Sequence, residues 1–149
     1  GRGASRKTPV FGILERGGRV HCQIVRNCSK PTLQAILQGR VAASATVTSD
    51  GWRGYDGLVE AGLARHHRIT KYPDRGKPVF SQGGVHINGI ESFWSYTKRR
   101  LQKFNGLRKT AFPTFLKETK FRFNSRDQDL YKILLASCRN QPLRQAQLE

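Results

Sequence analysis

The fold class of this chain is decided at Ala45-Thr46-Val47-Thr48-Ser49-Asp50-Gly51-Trp52. Residues 45–49 predict a short strand that runs directly into Asp50. This places Asp50 at or just past the carboxyl end of the strand, where α/β sheets tend to hold ligand sites. Asp-Gly is also a common turn pair, so a purely structural role for Asp50 stays open at this point.

Strands and a helix are also predicted upstream of this stretch. Residues 9–14 and 20–25 are rich in β-branched and apolar residues and flank the glycine-containing segment 15–19, which predicts a β-hairpin. A helix should follow, with Ser29 as its cap and Pro31 in its first turn. Its apolar residues recur at helical spacing and would pack on the sheet: Leu33, Ile36, Leu37 and Val41.

The downstream half predicts further alternation of helices and strands. In chain order we expect a short helix at 55–63, a strand at 66–70, a loop at 71–85, and helices from Asn88, at 112–123 and at 130–138. This order predicts an α/β fold with a mixed sheet flanked by helices. A length of 149 residues favours a single domain, 1–149, with a basic linker at 1–7 and a polar tail at 140–149.

The charge of the chain indicates its class of partner. It has 27 Lys and Arg residues against 10 Asp and Glu, a formal net charge of +17. Such a balance favours a polyanion, of which nucleic acid is the commonest, with binding that weakens steeply as salt rises. The sequence has no apolar run of about 20 residues and no signal-peptide pattern, so we expect a cytoplasmic protein and no membrane partner. The three cysteines show no C-x-x-C spacing and predict neither a disulfide framework nor a zinc site.

The segment from His86 to Arg100 is the most informative for chemistry. Seven residues span about 700° of a helix, so Glu91 and Lys98 lie on nearly the same face, about 10 Å apart along the axis. A carboxylate aligned with a lysine suits a metal ligand beside a phosphate contact. Together with Asp50, Glu91 offers oxygen ligands from two different elements, as divalent metals require for phosphoryl transfer.

Structural roles compete with this hypothesis. Asn88 followed by Glu91 also matches a helix N-cap with its capping-box partner. The aromatic residues Phe93 and Trp94 are more typical of a core than of a base-stacking platform. The run Lys98-Arg99-Arg100 is compatible with a solvated basic face as well as with DNA contact.

Four ordered motifs resemble one family. They are Lys7-Thr8-Pro9-Val10-Phe11-Gly12-Ile13-Leu14-Glu15-Arg16-Gly17-Gly18, Thr48-Ser49-Asp50-Gly51-Trp52-Arg53-Gly54-Tyr55, His86-Ile87-Asn88-Gly89-Ile90-Glu91-Ser92-Phe93-Trp94-Ser95 and Phe121-Arg122-Phe123-Asn124. Over about residues 7–126 the chain resembles the DDE transposases of the ISXO type, which belong to bacterial insertion sequences. A basic RNA-binding or ribosomal-type protein would explain the charge but not these motifs.

The resemblance implies an RNase H-like fold and a DNA transposition enzyme that cleaves and transfers DNA strands with Mg²⁺ or Mn²⁺. Asp50 matches the family's second catalytic aspartate, Glu91 its third acidic position and Lys98 its basic position, while Asn88 is a reserve candidate for metal contact. The implied partners are duplex DNA, at element ends and target, and further copies of the chain. We expect the DNA-binding residues to include a basic cluster: Lys98, Arg99, Arg100, Lys103, Arg108 and Lys109.

One departure from the family concerns its first aspartate, which lies on the opening strand upstream of the basic segment. Glu15 is the only acid before Asp50, and it matches a turn residue of the family. The expectation is therefore a catalytic domain whose first strand and first aspartate are missing from this sequence. The alternative is a non-catalytic basic DNA-binding remnant of a transposase.

Overall fold

The computed structural model describes residues 7–69, 81–82 and 85–141. The chain divides into two compact units, Gly1–Ser95 and Tyr96–Glu149, and the helix that contains Ser95 and Tyr96 runs from one into the other. The first unit is mixed α/β and the second is helical in its described part. The single domain expected from the chain length stays a prediction.

The predicted hairpin is confirmed. Strand β1, Val10–Leu14, pairs antiparallel with β2, Val20–Ile24, and Gly12 lies opposite Cys22. The turn closes with a hydrogen bond from the Gly18 N–H to the Glu15 carbonyl, 2.9 Å long. Alternation along the strands places Phe11 on one face of the hairpin and Val20 and Cys22 on the other, and all three side chains are buried.

Helix α1, Lys30–Gln38, packs against the face of the hairpin that carries Phe11 and Ile13. Leu33 and Leu37 are buried at its core side, as their spacing predicted. Ser29 has the extended backbone of an N-cap residue, but its hydroxyl pairs with that of Thr32 and accepts no helix N–H. The core of the unit is completed by residues from the hairpin and the following turns: Phe11, Val25, Leu58 and Leu63.

Strand β3, Thr46–Asp50, pairs in parallel with β4, Arg65–Ile69, so that Asp50 is opposite Ile69. Both strands lie within one residue of their predicted positions. The helix expected at 55–63 is wrong, because one 3₁₀ turn, Arg53–Tyr55, is followed only by turns. Gly57 adopts a φ of +75°, which a right-handed helix does not accommodate.

The segment expected to be a loop contains two short strands in its described part, β5, Ser81–Gln82, and β6, Val85–His86, which pair antiparallel. The other residues of that loop lie outside the described residues. Helix α2, Asn88–Gln102, follows directly. Its first half packs on the hairpin, since a Cβ at Gly12 would lie 2.6 Å from the Trp94 ring. Phe93 is fully buried, which confirms its predicted core role.

The second unit contains the end of α2 and two further helices. These are α3, Phe112–Asn124, and α4, Leu130–Asn140, both close to their predicted bounds. Asp129 caps α4 by accepting from the N–H groups of Tyr131 and Lys132. The tail was expected at 140–149, but α4 includes Asn140, so the tail begins at residue 141. Residues 142–149 lie outside the described residues.

Candidate functional site

Asp50 is the last residue of β3, and its side chain is half-buried. Its Oδ1 atom accepts a hydrogen bond from the Trp52 N–H at 3.2 Å, which turns the chain sharply as it leaves the strand. In the described part of the chain this is the one hydrogen bond of the Asp50 carboxylate.

The pKa of the Tyr55 hydroxyl depends in part on the charge of Asp50. Burial, followed by the negative charge of Asp50 and then by Cys28, raises the pKa of the Tyr55 hydroxyl to about 12. The phenol therefore stays protonated at neutral pH. Its ring also lies 6.3 Å from that of Phe11, so it connects the core of the unit to the strand end.

A side-chain hydrogen bond between Ser49 and His66 connects the two parallel strands just before Asp50. The buried Ser49 Oγ lies 2.8 Å from His66 Nε2 and donates to the Asp50 carbonyl at 2.9 Å, so His66 supplies the hydrogen in the other bond. Burial, with the positive charge of Arg68 and then of His67, lowers the pKa of His66. A neutral imidazole is thus favoured here. Sequence reasoning missed this pair because it is formed across two strands.

Glu91 lies in the first turn of α2 and is half-buried. Its N–H donates to the Ile87 carbonyl at 3.2 Å, the first bond of the helical ladder. Asn88 is therefore the first helical residue rather than the residue before the helix, and its carbonyl accepts from the Ser92 hydroxyl at 2.8 Å. A capping box with Asn88 as its cap would require Asn88 outside the helix, so the geometry does not favour that alternative.

Asp50 and Glu91 belong to the same compact unit, on two elements separated in sequence. Their carboxylate oxygens are the donor type that Mg²⁺ and Mn²⁺ prefer, so the ligand chemistry fits a hard divalent cation. Across residues 7–69, 81–82 and 85–141, no three His, Cys, Asp or Glu residues come together as a metal-binding group. Asp50 and Glu91 are thus two carboxylates of the chemical type that such an ion prefers.

The basic cluster of Lys98, Arg99, Arg100, Lys103, Arg108 and Lys109 lies in the second unit, and all of its members except Arg100 are exposed. Lys98 follows Glu91 by two turns on α2, as expected.

Among the described helices, none is long and apolar enough to cross a membrane.

Arg100 has a different environment from its neighbours. Its Nη2 donates to Glu118 Oε1 at 3.1 Å, and the Arg122 Nε donates to the same oxygen at 2.7 Å. The Arg100 guanidinium also lies over the Tyr96 ring, and Tyr96 in turn contacts Phe123. Arg100 therefore joins α2 to α3, and sequence reasoning missed its partner Glu118.

Comparison with known proteins gives the class of this chain: it is an insertion-sequence transposase. More particularly, it belongs to the ISXO2-like transposase domain family, whose model matches residues 1–124. The match ends with α3 and leaves α4 outside it. The family resemblance read from the four motifs is thereby confirmed.

Two relatives illustrate this membership. An uncharacterised transposase-like protein of Haemophilus influenzae is 36% identical over 107 residues, which cover 72% of this chain and 82% of that protein. A protein in the transposable element ISH50 of Halobacterium salinarum is 31% identical over 125 residues, 82% of this chain but 41% of the relative. No solved structure matches the chain significantly.

Proposed function

We propose that this chain acts in DNA transposition as the catalytic region of a DDE-type transposase with an RNase H-like fold. The observation that carries the proposal is the place of Asp50, a half-buried carboxylate at the end of a parallel strand pair, with its Oδ1 oriented by the Trp52 N–H. Family membership supplies the reaction class, because a transposase must break and join DNA strands.

Asp50 and Glu91 are the residues that would hold Mg²⁺ or Mn²⁺, with Asn88 beside Glu91 as a further oxygen donor. The bound ion supplies activation of the attacking oxygen and stabilisation of charge on the phosphate. The contribution of the chain itself is to fix the carboxylates. The Trp52 N–H holds one oxygen of Asp50, and the Ser49–His66 pair holds the strand that leads to it.

DNA would be held by the exposed cations of the second unit. Lys98 lies on the helix that carries Glu91, and Arg99, Lys103, Arg108 and Lys109 extend the cationic surface. Phosphate contacts of this kind position a duplex without reading its sequence. With a net charge of +17, repulsion between copies favours assembly on DNA, where the phosphates offset it, and the active form would be a homo-oligomer there.

A second candidate function is that of a non-catalytic DNA-binding protein. It is favoured by the finding that the described residues bring together no three metal-ligating side chains. Both proposals predict DNA binding, and they differ in metal-dependent cleavage.

The test is cleavage of plasmid DNA that carries the element ends, with Mg²⁺ or Mn²⁺, by the protein as its gene encodes it. Asp50→Asn and Glu91→Gln should each abolish metal-dependent cleavage while DNA binding persists. The matched controls are Asp56→Asn and Glu60→Gln in the same unit, which should retain cleavage. Cleavage that survives Asp50→Asn would overturn the catalytic proposal, and DNA binding without any cleavage by the unaltered protein would favour the second candidate.

A further inference from the structure

Trp52 is an exposed aromatic side chain beside the candidate catalytic carboxylate. It exposes 55% of its surface and lies two residues after Asp50. A large flat ring left in water forgoes the stabilisation that burial would bring. Its exposure beside Asp50 therefore makes the ring a candidate contact for a bound ligand.

The indole of Trp52 is held in position by close contact with Gly54. A Cβ added at Gly54 would lie 2.5 Å from Trp52 Nε1 and 2.7 Å from Cδ1, so the five-membered ring lies directly against bare backbone. The same Cβ would lie 3.1 Å from the Cys28 carbonyl, which shows that Gly54 is enclosed on both sides. Only glycine allows the ring this position without a shift of its neighbours.

The backbone of Trp52 is fixed on both sides as well. Its N–H donates to Asp50 Oδ1, and its carbonyl accepts from the Tyr55 N–H at 3.1 Å. A ring that is already ordered loses little conformational freedom when it binds a planar ligand. The Trp52 platform, defined as the Trp52 indole on Gly54, is thus preorganised for stacking.

Cations in and beside the turn at residues 53–57, which follows Trp52, suit an anionic ligand with a planar group. Arg53 follows it in the chain and is exposed, and Lys30 is exposed with its ammonium near Gly57. The acidic neighbour Asp56 is paired with Arg68. A nucleotide combines a planar base for the ring with a phosphate for the cations.

We propose that the Trp52 platform stacks on an unpaired base of the DNA strand whose phosphate is presented to Asp50. The base must be unpaired because those within a duplex are already stacked on both faces, and only an end or a displaced base offers a free one. This inference rests on the proposed function, since it takes DNA to be the ligand. The hydrogen bond from Trp52 to Asp50 couples the stacked nucleotide to the carboxylate beside it.

The experiment compares two labelled probes by fluorescence anisotropy, a blunt duplex of about 20 base pairs and the same duplex with a short single-stranded 3′ extension. The unaltered chain should bind the extended probe about tenfold more tightly, the equivalent of one stacked base. Trp52→Ala should remove this preference and leave affinity for the blunt duplex unchanged. Trp52→Phe should retain part of it, and Gly54→Ala should reduce it by displacing the indole.

The control is Val59→Ala, which alters another exposed apolar side chain of the same unit and should keep the preference. Equal binding of the two probes by the unaltered chain, or a preference that survives Trp52→Ala, overturns the stacking proposal alone. Absence of binding to either probe overturns the proposed DNA function, and the stacking proposal with it. Loss of blunt-duplex binding in Trp52→Ala would also overturn the proposal, because it would assign Trp52 a general role in DNA affinity.

Discussion

The carboxylate of Asp50 accepts the backbone N–H of Trp52, with 3.2 Å between Oδ1 and the nitrogen. An amide side chain in place of the carboxylate can make the same bond, since its carbonyl oxygen is also an acceptor. The structural role of Asp50 and its proposed chemical role are therefore separable by substitution. One role needs any oxygen acceptor, and the other needs negative charge.

Asp50→Asn should leave the free energy of unfolding within about 0.5 kcal/mol of the unaltered chain, whereas Asp50→Ala should lower it by about 1 kcal/mol through the lost hydrogen bond. Both variants should lose the rise in Tm that Mn²⁺ gives the unaltered chain, because both lack the charged ligand. Urea unfolding and thermal scans with and without Mn²⁺ measure these effects. Equal stability of the two variants would show that the Trp52 bond contributes nothing.

Asn88 is already within the helix, so a capping box with Asn88 as its cap does not account for Glu91, and the proposed metal role of Glu91 can be tested separately. Glu91→Gln should lower the free energy of unfolding by less than about 1 kcal/mol, the usual contribution of an acid in a first helical turn. Mn²⁺ binding, followed by the paramagnetic resonance of the free ion, should weaken strongly. Glu60→Gln is the control and should leave Mn²⁺ binding intact. A large loss of stability with metal binding preserved would assign Glu91 a structural role.

Much of this arrangement is predictable from local sequence. The hairpin follows from two β-rich runs around a glycine turn, and Asp50 at a strand end follows from the run that precedes it. The interval from Tyr55 to Leu63 misled because Tyr55, Leu58 and Val59 have the i, i+3, i+4 spacing of a helix face, although Val59 is in fact exposed. The positive φ of Gly57 is a backbone property that apolar spacing does not reveal.

The role of Arg100 shows the other limit of prediction from sequence. Lys98-Arg99-Arg100 forms one basic run, but successive residues of a helix point about 100° apart. Arg100 faces α3, where its partner Glu118 lies 18 residues later. Which helix faces meet depends on tertiary packing, so an ion pair of this kind is not visible in the run itself.

Arg100 should therefore contribute to stability more than to DNA binding. Arg100→Ala removes an ion pair and the contact with Tyr96, and should lower the free energy of unfolding by about 1 kcal/mol, because both charged partners are partly exposed. Glu118→Gln should cost a similar amount, since it weakens the bonds to Arg100 and Arg122 together. Urea unfolding measures both, with the exposed Lys103→Ala as control at less than about 0.5 kcal/mol. A neutral Arg100→Ala would contradict the assigned role.

The exposed cations should dominate the salt dependence of DNA binding. The logarithm of the affinity for a duplex should fall linearly with the logarithm of salt concentration, with a slope of about −0.9 per phosphate contact. Lys103→Ala and Arg108→Ala should each reduce the slope by about 1 without altering sequence preference, while Arg100→Ala should leave it nearly unchanged. Filter binding over a range of salt concentrations gives the slopes. A slope near zero for the unaltered chain would rule out phosphate contacts as the main source of affinity.

The raised pKa of Tyr55 makes stability depend on pH in the alkaline range. The folded value is about 12 against about 10 when unfolded, so the folded state holds this proton more tightly. The resulting stabilisation is complete below pH 10 and is lost as pH rises through 12. From about pH 9 to about pH 11, the free energy of unfolding should therefore fall by on the order of 1 kcal/mol more for the unaltered chain than for Tyr55→Phe.

Asp50→Asn provides an independent check on the cause, because the charge of Asp50 is the second contribution to the raised pKa. In this variant the pKa of Tyr55 should fall but remain above 10, since burial is the larger contribution. Tyrosinate absorbance, taken as the difference between each chain and its Tyr55→Phe counterpart, isolates this residue among the four tyrosines. An unchanged pKa in Asp50→Asn would show that the carboxylate does not act on the phenol, and a pKa near 10 would show that burial does not either.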